Sequence, residues 1–435
     1  MFRIEQKYGF RKQLLILESE LNFMKDLNYL YRKLFLVGSL WILLSTSILS
    51  IPAIAQEARD KKFPVPNSID VMTPHKVGLF TNYASIAPTC KVARSDNPLV
   101  LQRSVKDIAN LKVDNLTVSD YIKKYNVMGF LVLRDGVIVD QQHRFERRET
   151  DLFTSMSVAK SIVSILVGIA LDDGLISSLD DPVGKYALKI KNSPYGSLPI
   201  RSLLQMSSGV PFVEHYPVKS KTDIYDFAVE AQYGKNSSII RAINNIKKQS
   251  NGYGKVFNYA SVETAVLVEV LRSASKQSLC SFMQERLWKP IGAEHDANWN
   301  IDSEGLEWGF GWLNATQADL AKVGILLTNG GEINGKQVVS KKYLEEATSL
   351  EKQPLQFKKV NDVNEPSKNA GYGYQFWLTD TPGRFFMQGI FGQYVVIDQP
   401  SKTVMIINSA DPSFLSDNRT KETLKVFGKL LEQNF

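Results

Sequence analysis

From Phe153 to Gly174 the chain reads FTSMSVAKSIVSILVGIALDDG. Val158, Ile162, Val163, Ile165, Leu166, Val167, Ile169 and Leu171 leave almost no side of a 3.6-residue period polar, so a helix here is central and buried. Asp172-Asp173-Gly174 ends it. One polar stripe crosses this apolar cylinder, made of Ser157, Lys160, Ser161 and Ser164. Three-residue spacing at a helix start sets the Ser157 hydroxyl beside the Lys160 amine. A lysine is rarely buried without a partner, and desolvation would lower its pKa toward that of a usable base. As a surface residue it would be poorly placed at the positive end of the helix dipole. Ser157 is therefore the candidate nucleophile and Lys160 its candidate activator. The same spacing recurs at Ser273 to Lys276 and at Ser349 to Lys352, and the apolar helix is what singles out the first.

Upstream, Gly129 to Asp140 places two β-rich runs around Asp135-Gly136, a hairpin signal. Downstream, residues 181–290 read as helices and loops, including Ile200 to Met206 and Val262 to Leu271. A helix is predicted over Gln317 to Thr328, stopped by Asn329-Gly330-Gly331. Strand-like runs follow at Tyr372 to Leu378, Arg384 to Gln388, Tyr394 to Asp398 and Thr403 to Asn408, before a closing helix over Lys421 to Glu432. Sheet, helical insert, then more sheet is the order of an α+β body (111–180 and 291–435) interrupted by an all-α domain (181–290). Residues 56–110 read as an extended lead-in.

The 435 residues can bury a large core, and 44% hydrophobic with 22% charged residues is ordinary globular composition. The net charge of +7 invites a nucleic-acid reading, but residues 1–55 contribute three of those charges and no basic tract stands out in the rest. No nucleic-acid partner is expected. Leu34 to Ile54 carries no charge, follows Arg32-Lys33 and ends in Ala53-Ile54-Ala55, the pattern of a secretory signal peptide. The alternative is an uncleaved membrane anchor; either one exports residues 56–435, to the periplasm or the extracellular space. Met24 opens an n-region of more usual length than Met1 does. Cys90 and Cys280 are the only cysteines. An exported chain allows them to pair, whereas Leu279, Phe282, Met283 and Leu287 at helical spacing around Cys280 favour a buried free thiol. Two cysteines and four scattered histidines (His75, His143, His215, His295) offer no metal-ligand cluster, so no metal is expected. With no Gly-x-Ser-x-Gly elbow and no histidine in a triad context, a Ser-His-Asp arrangement is disfavoured.

Phe153 to Ser161, then Leu203-Leu204-Gln205-Met206-Ser207-Ser208-Gly209, together resemble the serine β-lactamase and penicillin-binding superfamily. The closer likeness is to the class C-like branch that contains esterases and 6-aminohexanoate-dimer hydrolases. Leu287 to Ala293, Asn314-Ala315-Thr316 with Asp319-Leu320-Ala321, and Gly371 to Gln375 extend the likeness across about residues 120–430. The resemblance implies a β-lactamase-like α+β fold, an antiparallel sheet flanked by helices with the inserted helical domain. In Phe257-Asn258-Tyr259-Ala260-Ser261 it implies that Tyr259 is the proton-transfer partner, with Ser261 a contributing polar group. Lys160 beside a phenol near a reference pKa of about 10 would favour phenolate, so the two should titrate as a coupled set. For the third family motif, a Lys-Thr-Gly or relative on an edge strand, the matching stretch is Met387-Gln388-Gly389-Ile390, which has no lysine. By carry-over, Gly389 admits the substrate, Gln388 lines it, and the Ile390 and Ser157 backbone amides form an oxyanion hole. The resemblance thus implies a serine hydrolase of small esters or amides needing no cofactor. The other readings are a D,D-peptidase or β-lactamase, and a catalytically silent binding protein on the same fold.

Overall fold

Val127–Arg134 and Val137–His143 form the hairpin expected around Asp135-Gly136, and both turn residues take positive φ, 45° and 79°. Two left-handed residues match the right-handed twist of the strands they join. The computed structural model in which this is seen describes residues 62–66, 73–216, 222–232, 236–360, 371–413 and 418–435. Segment 34–54, Met24 and the Ala53-Ile54-Ala55 site lie outside the described residues.

The hairpin belongs to an eight-stranded sheet in the order Gly371–Tyr372, Trp377–Leu378, Arg384–Gly389, Gln393–Asp398, Thr403–Ser409, Val127–Arg134, Val137–His143, Gln102–Arg103. Every neighbouring pair is antiparallel except the last. Alternate side chains serve two cores. Leu131, Leu133, Phe385, Met387, Val395 and Ile397 pack with the central helix Val158–Asp172, while Phe130, Val132, Phe386, Tyr394 and Val396 pack with Val426 and Phe427 of the closing helix Arg419–Leu431. The period of two along each strand is what delivers residues to opposite faces.

Between residues 181 and 290 the described residues contain helices and no strand, with Ile200–Leu204, Asp223–Gln232, Ile239–Asn245, Ser261–Ser275 and Leu279–Met283 as the α-helical segments. This region shares one hydrophobic core with the body: Leu203, Val266 and Leu287 lie in the same cluster as Ile162 and Leu166. The helices Gln317–Thr328 and Arg419–Leu431 form where the sequence places them, within two residues at each end.

Three expectations are corrected. The run Tyr372 to Leu378 is not one strand but a tight hairpin, Gly371–Tyr372 on Trp377–Leu378. Gln375 takes φ 62° in the reversal, and Gly373 is required beside it because a Cβ there would meet the Ala347 carbonyl oxygen at 2.0 Å. The lead-in, in turn, is not merely extended. Thr89–Val92 edges a second sheet, in the order Thr89–Val92, Ala297–Asn300, Leu313–Ala315, Phe153–Thr154, whose strands are too short and scattered to show as a pattern.

Cys90 on that edge strand is bonded to Cys280 on the helix Leu279–Met283, with a Cα–Cα distance of 6.2 Å. The buried-free-thiol reading of Cys280 therefore gives way: helical spacing shows that the residue is buried, not what faces it. Glu307 stands beside the pair, its Oε1 accepting the Cys280 backbone N–H at 3.1 Å while Arg272 pairs with its Oε2. These three side chains are the one group of metal-ligand type among the described residues. As a disulfide the two sulfurs carry no thiolate to offer a metal.

Candidate active site

Ser157 sits at the mouth of the central helix, in its N-cap position, after a turn in which Met156 takes φ 47°. A non-glycine residue in that region is uncommon, and such strain concentrates at functional turns. The small sheet holds the turn on one side and the end of the short helix Lys76–Leu79 on the other. Thr154 N–H donates to the Phe80 carbonyl and Ser155 N–H to the Leu313 carbonyl, each at 2.8 Å.

Lys160 is 2% exposed. Its Nζ donates to Ser157 Oγ at 2.8 Å and to the Phe310 carbonyl at 2.6 Å, and it lies 5.1 Å from the centroid of the Tyr259 ring. Burial lowers its pKa to about 8, against the opposing charge of Glu214. With the amine neutral, an N–H can keep the Phe310 carbonyl while the nitrogen lone pair accepts from the Ser157 hydroxyl. Tyr259 stacks on Trp377, ring centroids 6.1 Å apart. Neither competing Ser-x-x-Lys spacing has this environment: Lys276 and Lys352 are exposed, and the Ser273 hydroxyl is turned back onto Glu269.

The remaining serines of the polar stripe serve packing. Ser161 Oγ donates to the Gln375 carbonyl at 2.5 Å, and Ser164 Oγ lies 3.0 Å from Tyr343 Oη. Gln375, the last residue of the Gly371 to Gln375 match, also accepts from Thr264 Oγ1 and donates its N–H to the Leu204 carbonyl. It joins the central helix to two helices of the insert.

Gly389 ends the strand Arg384–Gly389 against the turn that carries Ser157. A Cβ there would meet the Ser155 carbonyl oxygen at 2.7 Å, Met156 Cβ at 2.8 Å and Ser157 N at 2.9 Å. Ile390 follows at the strand end. Gln388 is a correction: its Nε2 donates to Tyr394 Oη and Thr420 Oγ1, both at 3.2 Å. These partners lie on the closing-helix side of the sheet, because strand alternation turns residue 388 away from the face that Gly389 presents to Ser157. Met387 shares the Gly389 face and is 1% exposed. Ser261 directs its hydroxyl to Glu214 rather than to Lys160.

Two contributors escaped sequence reasoning. The first is the loop Trp308-Gly309-Phe310-Gly311-Trp312, which supplies the carbonyl on Lys160. Gly309 is required there, since a Cβ would lie 2.1 Å from Val268 Cγ2. The Gly-aromatic alternation was the only available signal. The second is Glu214, 3% exposed, whose carboxylate accepts the Ser261 backbone N–H at 2.6 Å, Ser261 Oγ at 2.7 Å and Tyr216 Oη at 2.9 Å. Nothing in its local sequence marks it.

The Beta-lactamase family model matches residues 117–426. The 6-aminohexanoate-dimer hydrolase of Paenarthrobacter ureafaciens is 24% identical over 346 residues, which is 78% of this chain and 86% of that protein. Among solved structures, a putative 6-aminohexanoate-dimer hydrolase from Bacillus anthracis superposes with a TM-score of 0.71 at 21% identity, covering 85% of this chain and 95% of that one. A family VIII carboxylesterase superposes with a TM-score of 0.55 at 18% identity, covering 76% and 100%.

Proposed function

Because the chain belongs to the beta-lactamase family and is a serine hydrolase, we propose that it cleaves small esters or linear amides outside the cytoplasm through an acyl-enzyme on Ser157. The observation that carries this reading is the buried Lys160 amine, 2.8 Å from Ser157 Oγ. The hydroxyl attacks the carbonyl carbon as its proton passes to the Lys160 and Tyr259 pair. Tyr259 then protonates the leaving alkoxide or amine as the acyl bond breaks, and water releases the acid by the reverse relay. Intact-mass detection of a covalent adduct against short esters, linear amides and β-lactams tests the reading; no adduct with any of them rejects it.

Gly389 beside Ser157 N supports an oxyanion hole made by the Ser157 and Ile390 amides. Gly389→Ala must push the strand off the turn, since all three close atoms belong to backbone or to a buried side chain. A loss of about 10²- to 10³-fold in kcat with little change in KM is expected, the scale of removing one oxyanion donor. An unchanged kcat would remove Gly389 and Ile390 from the mechanism.

Esters should be preferred over penicillins. A β-lactam carries a carboxylate, and the Met387-Gln388-Gly389 stretch holds no cation on the face of Ser157. Losing a charge-assisted contact costs about one to two decades in rate. Comparing kcat/KM for nitrophenyl butyrate and nitrocefin checks this, and faster nitrocefin turnover would favour a β-lactamase. Export is supported by the charge-free Leu34 to Ile54 run and by the Cys90–Cys280 bond, since disulfides persist in oxidising compartments.

A further inference from the structure

Glu214 lies on a loop of the helical region, 47 residues before Ser261, and its carboxylate is buried at the start of the helix Ser261–Ser275. That helix has Ala260 in its N-cap position, which has no side chain able to accept the first backbone amides. Glu214 does so instead, taking the Ser261 N–H at 2.6 Å and the Ser261 hydroxyl at 2.7 Å. An acceptor at this position satisfies a backbone donor that the helix itself leaves unpaired. Tyr259 is two residues before that amide, so the carboxylate clamps the turn that presents the phenol.

Resting on the acyl-enzyme reading, we propose that Glu214 is a positioning residue: by holding the first amide and the hydroxyl of the helix Ser261–Ser275 it fixes the Tyr259 to Ser261 turn, and with it the Tyr259 ring that Lys160 Nζ faces at 5.1 Å. Tyr216, on the same loop, donates to the Glu214 carboxylate at 2.9 Å and helps to hold it in place. Glu263, in the first turn of the same helix, is hydrogen-bonded to Ser208, and it is Glu214 that takes the Ser261 amide.

The experiment compares Glu214→Ala, Glu214→Gln and Ser261→Ala with the parent enzyme, reading kcat and KM separately for nitrophenyl butyrate, fluorophosphonate labelling of Ser157 and the urea midpoint. Glu214→Ala leaves the Ser261 amide without its acceptor, so the turn shifts and kcat should fall by about 10- to 100-fold with little change in KM, the scale of a misplacement of about 1 Å. Glu214→Gln keeps an acceptor and should recover most of that loss, and Ser261→Ala, which removes one of the two hydrogen bonds, should lose several-fold. A folded Glu214→Ala protein with the kcat of the parent overturns the proposal, as does an equal loss in Glu214→Gln and Glu214→Ala. Should Glu214→Ala fail to fold, an unchanged kcat in Ser261→Ala overturns the proposal and a several-fold loss supports it. Failure of the parent enzyme to label at Ser157 would instead strike the acyl-enzyme reading itself.

Discussion

Replacing Ser157 by alanine is expected to lower kcat/KM for nitrophenyl butyrate by about four orders of magnitude and to abolish the covalent adduct. Lys160→Met and Tyr259→Phe should each lose about 10³-fold or more. Combining either with Ser157→Ala should cost little further, because groups that act as one proton-transfer unit are strongly non-additive. In the parent enzyme the ascending limb of kcat/KM should have its midpoint near pH 8, where burial places the Lys160 amine, since only the neutral amine can take the Ser157 proton. Stability should likewise rise with pH. An unfolded lysine keeps its proton up to the ordinary value of 10.5, whereas the folded one releases it near 8. The unfolded state therefore binds more protons between these values, and stability rises with pH across that window. Below pH 8 the buried charge costs about 3 kcal/mol. Lys160→Met should accordingly raise Tm at pH 7, less whatever the Phe310 carbonyl loses with its donor, and the advantage should disappear by about pH 10.5. Thermal melts at pH 7 and pH 10 separate this from a variant that is inactive because it is unfolded. A Lys160→Met protein that hydrolyses the ester normally would remove Lys160 from the chemistry.

Reducing the Cys90–Cys280 bond is expected to be the largest single loss of stability. The bond closes a loop of 190 residues. In the chain-entropy account such a link stabilises the fold by about 5 kcal/mol through the unfolded state, and native relaxation can take back part of this. Cys90 lies on an edge strand that pairs on one side only, with Ala297–Asn300, so this strand should be the first part released. The paired substitution Cys90→Ser with Cys280→Ser should lower the urea midpoint while leaving the reactivity of folded Ser157 unchanged, because neither cysteine touches the site. Urea titrations with and without reductant check this, and coincident curves would show that the bond adds nothing.

The sheet hairpin and the central helix were legible because their causes are local. Asp135-Gly136 selects a turn type, and the apolar run from Val158 to Leu171 forces burial whatever surrounds it. Ser157 and Lys160 were legible for the same reason, since one helical turn sets them side by side. Tyr259 and Gly389 needed a family likeness in addition, and Gln388 shows its limit: a motif aligns residues, while the pleat of the strand decides which of them faces the nucleophile. The Phe310 carbonyl on Lys160, Glu214 on Ser261 and the Cys90–Cys280 bond connect positions 150, 47 and 190 residues apart. No periodicity or turn signal reaches across such distances. Tertiary packing brings these groups together, and the same burial lowers the pKa of an otherwise ordinary lysine to about 8. Sequence by itself determined which residues are candidates for the chemistry, because helical spacing and an apolar setting are local, and the tertiary structure decided which groups surround them, because those contacts span the chain.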